Sequence, residues 1–353
     1  MLCARSPLRI DLVGMTDYRP ACKAFGGSIV NATINKYIYA TAQWRDDKKI
    51  VLNAPDQDVK RVEVESAKAL SAEGELGLAQ EIIRQFNLDR GIELTTYSEM
   101  PGGAGLGSSS TIATCIIALL NAMTGWQLCN YDMALMAIES EERALGTRYG
   151  WQDQFSPVTG GGVKYMKHWP DSDGRGIEVD VLPLPDAVLA ELQKSLVICY
   201  TGISRPAKSI LDKVAHGFEA NDPVVIEGLK RMSECADRIR FHLLEGRPQE
   251  VGRLLSEVWE LHKTLHPDVT NERIEHLYRI ALENGAIGGR VCGAGGGGTM
   301  LFYCAPNTDY DVKQALQAAG ATVFDFSFDM HGLLVWESTD EGVGQAVSTP
   351  KGL

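Results

Sequence analysis

Apolar and polar positions change period several times along this chain, and the changes divide it into elements. Arg5 to Gly14 alternates like a strand, with Leu8, Ile10 and Leu12 on one face and Arg9 and Asp11 on the other, then breaks into the polar turn Met15-Thr16-Asp17-Tyr18. Phe25 to Ala40, rich in β-branched and aromatic residues, reads as a second and third strand. Glu63 to Ser71 and Gly77 to Phe86 carry helical spacing, and Ile92 to Ser98 is a strand. The apolar run Thr111 to Met123 predicts a helix that Gly125 stops. Another helix begins at Asn130, where Met133, Met136, Ala137 and Ser140 recur at helical spacing. Val163 to Met166 and Ile177 to Leu182 flank a hairpin loop at Trp169 to Gly176.

A boundary falls around Pro185 to Leu189, and the second half opens with the buried-type strand Leu196 to Tyr200. Amphipathic helices follow at Pro206 to His216, Pro223 to Leu244, Pro248 to Leu265 and Asn271 to Asn284. Strands are expected at Thr299 to Cys304, Val323 to Phe328 and Leu333 to Trp336, and a loose tail from about Ser338. The pattern predicts an α+β protein of two domains, 1–188 and 189–353.

The 353 residues suffice for two cores, and 44% hydrophobic with 23% charged is ordinary for a globular protein. A formal net charge of -12 argues against nucleic acid or an anionic membrane as partner, whereas a small anionic ligand needs only local positive charge. The eight cysteines are dispersed with no C-x-x-C pair, as expected of reduced core thiols. Arginines stand where a signal peptide would have its apolar core, and no apolar run spans a bilayer, so a cytoplasmic location is expected. His262 and His266 lie one helical turn apart without the glutamate of a zinc-protease pattern, so they are not read as metal ligands.

Candidate chemistry concentrates at Pro101-Gly102-Gly103-Ala104-Gly105-Leu106-Gly107-Ser108-Ser109-Ser110. Four glycines in six residues allow the backbone to close around an anion, and the serines open a helix whose first N–H groups lack intrahelical partners. No lysine follows Gly107, so the element is not a P-loop. Farther on, the helix from Asn130 ends in Glu139, Glu141, Glu142 and Arg143, and Gly150-Trp151-Gln152-Asp153-Gln154-Phe155 follows as a polar insertion. One carboxylate on a helix and another in the next loop suit a metal ligand and an acid/base or orienting group. Gly293, Gly295 and Gly298 formally satisfy G-x-G-x-x-G, but a strand follows where the dinucleotide fingerprint requires a helix.

The glycine-serine cradle, the Pro7-Leu8-Arg9 strand with its Gly14 to Tyr18 turn, and the late Gly293-Ala294-Gly295-Gly296-Gly297-Gly298 loop together resemble the three motifs of the GHMP kinases. Within that superfamily the chain is most similar to D-glycero-D-manno-heptose 7-phosphate kinases and their L-fucokinase-like relatives, over Ala4 to about Tyr303. The resemblance implies an amino-terminal domain like ribosomal protein S5 domain 2 and a ferredoxin-like carboxy-terminal domain. It implies ATP at Gly102, Gly103, Ala104, Gly105, Leu106, Gly107, Ser108, Ser109 and Ser110, with Mg²⁺ held by Ser109, with Ser108 as alternate, and by Glu142. It further implies Asp153 as base or orienting carboxylate, Arg9 as its partner, and Asp17, Thr16, Gly27, Gly295 and Gly296 around the acceptor.

The implied reaction is phosphorylation of a small-molecule sugar or sugar-phosphate hydroxyl, in particular the anomeric hydroxyl of a heptose 7-phosphate. A fucose- or galactose-like sugar, an isoprenoid alcohol, and a non-catalytic sugar-binding role stand as alternatives, and homo-oligomerisation is left open. Met15 occupies a place where the heptose kinases carry glycine in a Gly-Gly-Gly-Thr-Asp turn. Lys23, Lys164, Arg148 and Arg205 are candidates to meet a substrate phosphate.

Overall fold

A computed structural model of the protein describes residues 1–146, 150–170, 176–204, 207–339 and 342–346. The chain runs β1 (Leu2–Val13), α1 (Arg19–Phe25), β2 (Gly27–Trp44), β3 (Ile50–Asn53), β4 (Arg61–Val64), α2 (Gly77–Phe86) and β5 (Ile92–Ser98). It continues through α3 (Ser108–Thr124), α4 (Asn130–Leu145), α5 (Gln152–Val158), β6 (Val163–His168), β7 (Ile177–Val181) and α6 (Asp186–Ser195). There follow β8 (Leu196–Tyr200), α7 (Ala207–Glu219), α8 (Pro223–Leu244), α9 (Gln249–Leu265), α10 (Glu272–Glu283), β9 (Ala286–Val291) and β10 (Thr299–Cys304). The last elements are α11 (Asp309–Ala318), β11 (Thr322–Val323), β12 (Leu334–Thr339) and β13 (Gly342–Ala346).

Two sheets organise these elements. The larger has the order β13-β12-β1-β2-β5-β3-β4, with β6 and β7 added beside the first part of β2. The smaller has the order β11-β8-β10-β9, all antiparallel. Numbered within that unit, the order is fourth-first-third-second, and the connections run strand, helices, strand, strand, helix, strand. This is the ferredoxin-like arrangement the motifs imply.

Several expectations are revised by pairing that local patterns do not reveal. Phe25 to Ala40 is not two strands. From Gly27 onward it is one eighteen-residue strand, because β2 pairs with β6 through Gly27–Ala32 and with β5 through Ile38–Trp44, so no turn is needed between the two parts. Within Glu63 to Ser71 the first residues complete β4 against β3, and only Ala67–Ala69 forms a 3-10 turn. Of Val323 to Phe328 only Val323 is in a strand. The supposedly loose tail begins inside β12, which pairs antiparallel with β1, and 342–346 extend the sheet as β13.

The core is continuous across both halves. Helix α3 is buried on most sides between β1 and β2 and its neighbour α4, consistent with its unbroken apolar run Cys115 to Leu120. Helices α8 and α9 pack against each other, α9 covering β9 and β10 and α8 reaching β2. A smaller cluster of Ile29, Ala134, Ile138, Trp151, Phe155, Val158 and Met166 fixes α5 to the rest. All eight cysteines are free, seven of them buried. Among the described residues no helix is long and apolar enough to cross a membrane.

Candidate active site

The strand β1 carries Arg9 into the interior, where it is 3% exposed. Its guanidinium donates twice to Asp153, from Nε to Oδ1 at 2.6 Å and from Nη2 to Oδ2 at 2.9 Å. Nη1 donates to the carbonyl of Gly105 at 2.6 Å. Burial pulls the guanidinium toward deprotonation, but the charges of Asp153 and then Asp11 outweigh it, so Arg9 is held above its ordinary value and stays a cation. The fork geometry is what a planar guanidinium offers and a lysine does not.

Asp153 sits in the first turn of α5, not in a loop. Trp151 and Phe155, both fully buried, anchor that helix and leave Asp153 facing a cavity of about 490 Å³. The start of α5 is held from β1's side of the molecule. Asp17 Oδ2 accepts from the N–H of Trp151 at 3.0 Å and of Gln152 at 3.2 Å. A Cβ on Gly150 would come within 2.4 Å of that oxygen, so only glycine fits there. Burial, and then the charge of Asp153, push the Asp17 carboxyl up to about 6 against the pull of these two N–H groups.

The cradle faces the same cavity with alternate residues. Gly103, Gly105 and Gly107 have φ of 73°, 76° and 78° and line the cavity, whereas Ala104 and Leu106 between them point into the core. Alternation of left-handed and ordinary backbone produces a concave row of N–H groups suited to an anion. Ser108, Ser109 and Ser110, the first turn of α3, continue this wall. Gly102 lies outside it, its carbonyl accepting from Ser204 Oγ at 3.1 Å.

The late glycine loop closes the cradle from behind. Thr299 N–H donates to the Ala104 carbonyl at 2.8 Å, and Gly293 N–H donates to Asp11, which also lies 3.5 Å from the buried Arg290. Gly293, Ala294, Gly295 and Gly297 reach the cavity. Gly296 does not; its N–H donates to Val269 and its carbonyl accepts from Asn271. Thr16 and Gly27 likewise do not line the cavity. Thr16 Oγ1 donates to the Ser28 carbonyl at 2.6 Å, and a Cβ on Gly27 would strike the Thr16 carbonyl oxygen at 2.2 Å.

The carboxylates of α4 require a correction. Glu142, expected to face the cradle, turns to Arg19 in an ion pair. Its neighbour Glu141 is 6% exposed and accepts from Ser110 Oγ at 2.8 Å and Gln154 Nε2 at 2.5 Å. Adjacent residues on a helix point about 100° apart, so only one can face α3. Burial pushes the Glu141 carboxyl up, opposed by the hydrogen bonds of Gln154, Ser110 and Ser109.

The expected phosphate contacts also change. Lys23 is exposed away from the cavity. Lys164 is fully buried, its ammonium donating to Thr33 and to the Gly162 carbonyl, and burial lowers it to about 7. Arg148 and Arg205 lie outside the described residues. Among the described residues, the cations that do line the cavity, besides Arg9, are Arg19 and Lys208. Met15 lines it too, in the left-handed region at φ 69°.

Among the described residues, three polar atoms around this cavity are buried without a hydrogen-bond partner: Ser108 Oγ, Gln152 Oε1 and Gln154 Oε1. Such atoms are costly in a folded protein unless a ligand completes them. Among the described residues no cluster of three or more His, Cys, Asp or Glu could hold a metal by itself. One or two oxygen ligands beside a phosphate-binding row suit Mg²⁺, which ordinarily keeps waters and substrate phosphates in its shell.

Comparison with known proteins agrees with this geometry. Residues 75–161 match the family of GHMP kinases N terminal domains and residues 241–322 the GHMP kinases C terminal family. The D-glycero-alpha-D-manno-heptose 7-phosphate kinase of Campylobacter jejuni is 31% identical over 338 residues, 94% of this chain and 98% of that protein. A crystal structure of a D-glycero-D-manno-heptose 1-phosphate kinase from Bacteroides thetaiotaomicron superposes with a TM-score of 0.79 at 27% identity, covering 96% of this chain and all of that one. Lactococcus lactis galactokinase bound to galactose shares the fold, with a TM-score of 0.74 at 20% identity and 94% coverage of each chain. With the two family matches and a relative aligned over nearly its whole length, the chain belongs to the GHMP kinase family and is an ATP-dependent kinase of that two-domain fold.

Proposed function

We propose that this enzyme transfers the γ-phosphoryl group of ATP to a hydroxyl of a sugar phosphate, the anomeric hydroxyl of a heptose 7-phosphate. The observation that carries the reading is the two-pronged Arg9–Asp153 pair at the edge of the glycine row. The identity of the sugar is supported by the Campylobacter jejuni relative.

The N–H groups of 103–110 would hold the nucleotide phosphates, with the positive end of α3 behind them. Mg²⁺ fits the donor set: the orphaned hydroxyl of Ser108, the hydroxyl of Ser109, and Glu141 rather than Glu142 would hold it, and it would neutralise charge on the β- and γ-phosphates. Asp153 orients the acceptor hydroxyl and takes its proton as the new O–P bond forms and the bond from the γ-phosphorus to its bridging oxygen breaks. Arg9 fixes the rotamer of Asp153 and places a positive charge beside the transferring group. Asp17 accepts from a second hydroxyl of the sugar, and Gly295 contributes backbone to that wall. Thr16, Gly27 and Gly296 act one step back, by shaping the turn and the late loop. The division near residue 188 separates a half bearing the cradle and Asp153 from a half that supplies the closing loop, with β12 and β13 returning to the first.

The test is a panel of acceptors with ATP and Mg²⁺, read by ADP release: heptose 7-phosphate, mannose, fucose, galactose and mevalonate. Phosphorus NMR then locates the new phosphate. Turnover confined to mevalonate, or a product phosphorylated away from the anomeric carbon, would remove this reading.

A further inference from the structure

We propose that Lys208 and Arg19 form an anion subsite for a phosphate that the acceptor already carries. The proposal rests on the sugar-phosphate reading above and deepens it by assigning the residues that meet the phosphate carried away from the reacting hydroxyl.

Arg9 is committed to Asp153 and Gly105, so it cannot also bind a substrate phosphate. Among the described residues, the two further cations of the cavity converge on one turn of α4 from opposite halves of the chain. Arg19, at the start of α1, pairs with Glu142. Lys208, in the first turn of α7, donates to the Leu145 carbonyl at 2.9 Å, and a Cβ on Gly146 would lie 3.1 Å from its ammonium. A carbonyl carries only a partial charge, and among the described residues Lys208 has no carboxylate partner. The pair therefore brings two formal positive charges to that turn, beside the carboxylate of Glu142.

Position along α4 separates the Lys208 end of this subsite from the cradle. Glu141 meets Ser110 at the start of α3, and Leu145 lies one turn farther, about 6 Å along the axis. Asp153 belongs to the cradle end, its carboxyl standing within 3.0 to 3.3 Å of where a Cβ on Gly107 would be. A substrate spanning the two ends would present a hydroxyl to Asp153 and a dianionic group to Lys208 and Arg19. Tyr18, Leu145 and Leu211 provide apolar wall beside the cations, which strengthens charge pairing there by excluding water.

Steady-state kinetics of the full-length enzyme with ATP and Mg²⁺ test this, using D-glycero-D-manno-heptose 7-phosphate and unphosphorylated D-glycero-D-manno-heptose as paired acceptors. Lys208 is exposed, so Lys208→Met leaves the fold intact, and Arg19→Met and Lys208→Arg complete the set. The wild type should prefer the phosphorylated acceptor. Each Met variant should lose about 10- to 100-fold in kcat/KM for it, mainly through KM, as expected for a lost charged hydrogen bond. The unphosphorylated acceptor and the KM for ATP should change by no more than about twofold, and Lys208→Arg should restore most of the preference. A wild type that prefers the phosphorylated acceptor while both Met variants keep that preference overturns the subsite but leaves the kinase reading standing. A raised KM for ATP with unchanged acceptor preference also overturns it, by assigning the cations to the nucleotide. Turnover of neither acceptor by the wild type removes the sugar-phosphate reading and the subsite together.

Discussion

Asp17 should make the protein less stable in order to make it active, and the two effects should run oppositely with pH. The carboxyl is 6% exposed, and its folded-state pKa is raised from the ordinary 3.8 to about 6, by burial first and by the charge of Asp153 second. At roughly 1.4 kcal/mol for each tenfold change in ionisation, keeping Asp17 charged costs the folded state about 3 kcal/mol at neutral pH. The sign follows from proton counting: between pH 3.8 and about 6 the folded state holds the proton more tightly than the unfolded one. The group's stabilising contribution is therefore complete below the lower value and lost as pH rises through the upper.

Asp17→Asn keeps an oxygen for the N–H groups of Trp151 and Gln152 but cannot ionise. In urea unfolding, the variant should match the wild type near pH 4 and exceed it by up to about 3 kcal/mol near pH 7.5 with an unchanged m-value. Acceptor kcat/KM of the wild type should rise with pH through about 6, as the carboxylate becomes able to accept from a sugar hydroxyl, and that inflection should be missing in the variant. A stability difference that does not vary with pH, or a variant less stable than wild type at pH 7.5, would refute the reasoning.

The roles around Asp17 are checked by three further substitutions. Asp153→Asn should lower kcat by about 100- to 10,000-fold, the range for a lost general base, while ATP affinity measured by calorimetry stays within a few-fold; full turnover would dismiss the base assignment. Glu141→Gln should raise the Mg²⁺ concentration needed for half-maximal rate and Glu142→Gln should not, so a magnesium titration of both variants decides which glutamate faces the metal. Gly107→Ala places a methyl at φ 78°, where a side chain costs about 1–2 kcal/mol, and within 3.0 Å of Asp153 Cγ. Its kcat should fall about tenfold or more with little change in the KM for ATP; a wild-type kcat would mean that Asp153 is not held by this contact.

What could be read from the chain depended on how local the determining physics was. The cradle, α3 and the facing of Arg9 were legible because a glycine row, an apolar run and a two-residue period each act within a few positions. The choice between Glu141 and Glu142 was also within reach. Ala134, Ala137, Ile138 and Glu141 form one buried stripe of α4 at spacings of three and four, and Glu142 falls off it. The family resemblance pointed to Glu142 and helical phase to Glu141, and packing obeys the phase.

The single β2, the strand character of residues 337–339 and 342–346 and the approach of Lys208 were not legible, because each is set by partners far away in sequence. β12 pairs with β1 from more than 300 residues away, and Lys208 reaches α4 only because the ferredoxin-like half packs its first helix over the cavity. Thr16 and Gly27 show the opposite difficulty. Both stand within motifs that mark the site, yet the hydroxyl of one holds the Ser28 carbonyl and the missing side chain of the other makes room for that turn. A motif records every residue that the site's geometry constrains, and only the packing separates those that touch substrate from those that hold the touching residues in place. Asp17 does both. The carboxylate that caps the start of α5 also faces the cavity, so under the proposed function its charge would couple the position of Asp153 to the presence of an acceptor hydroxyl.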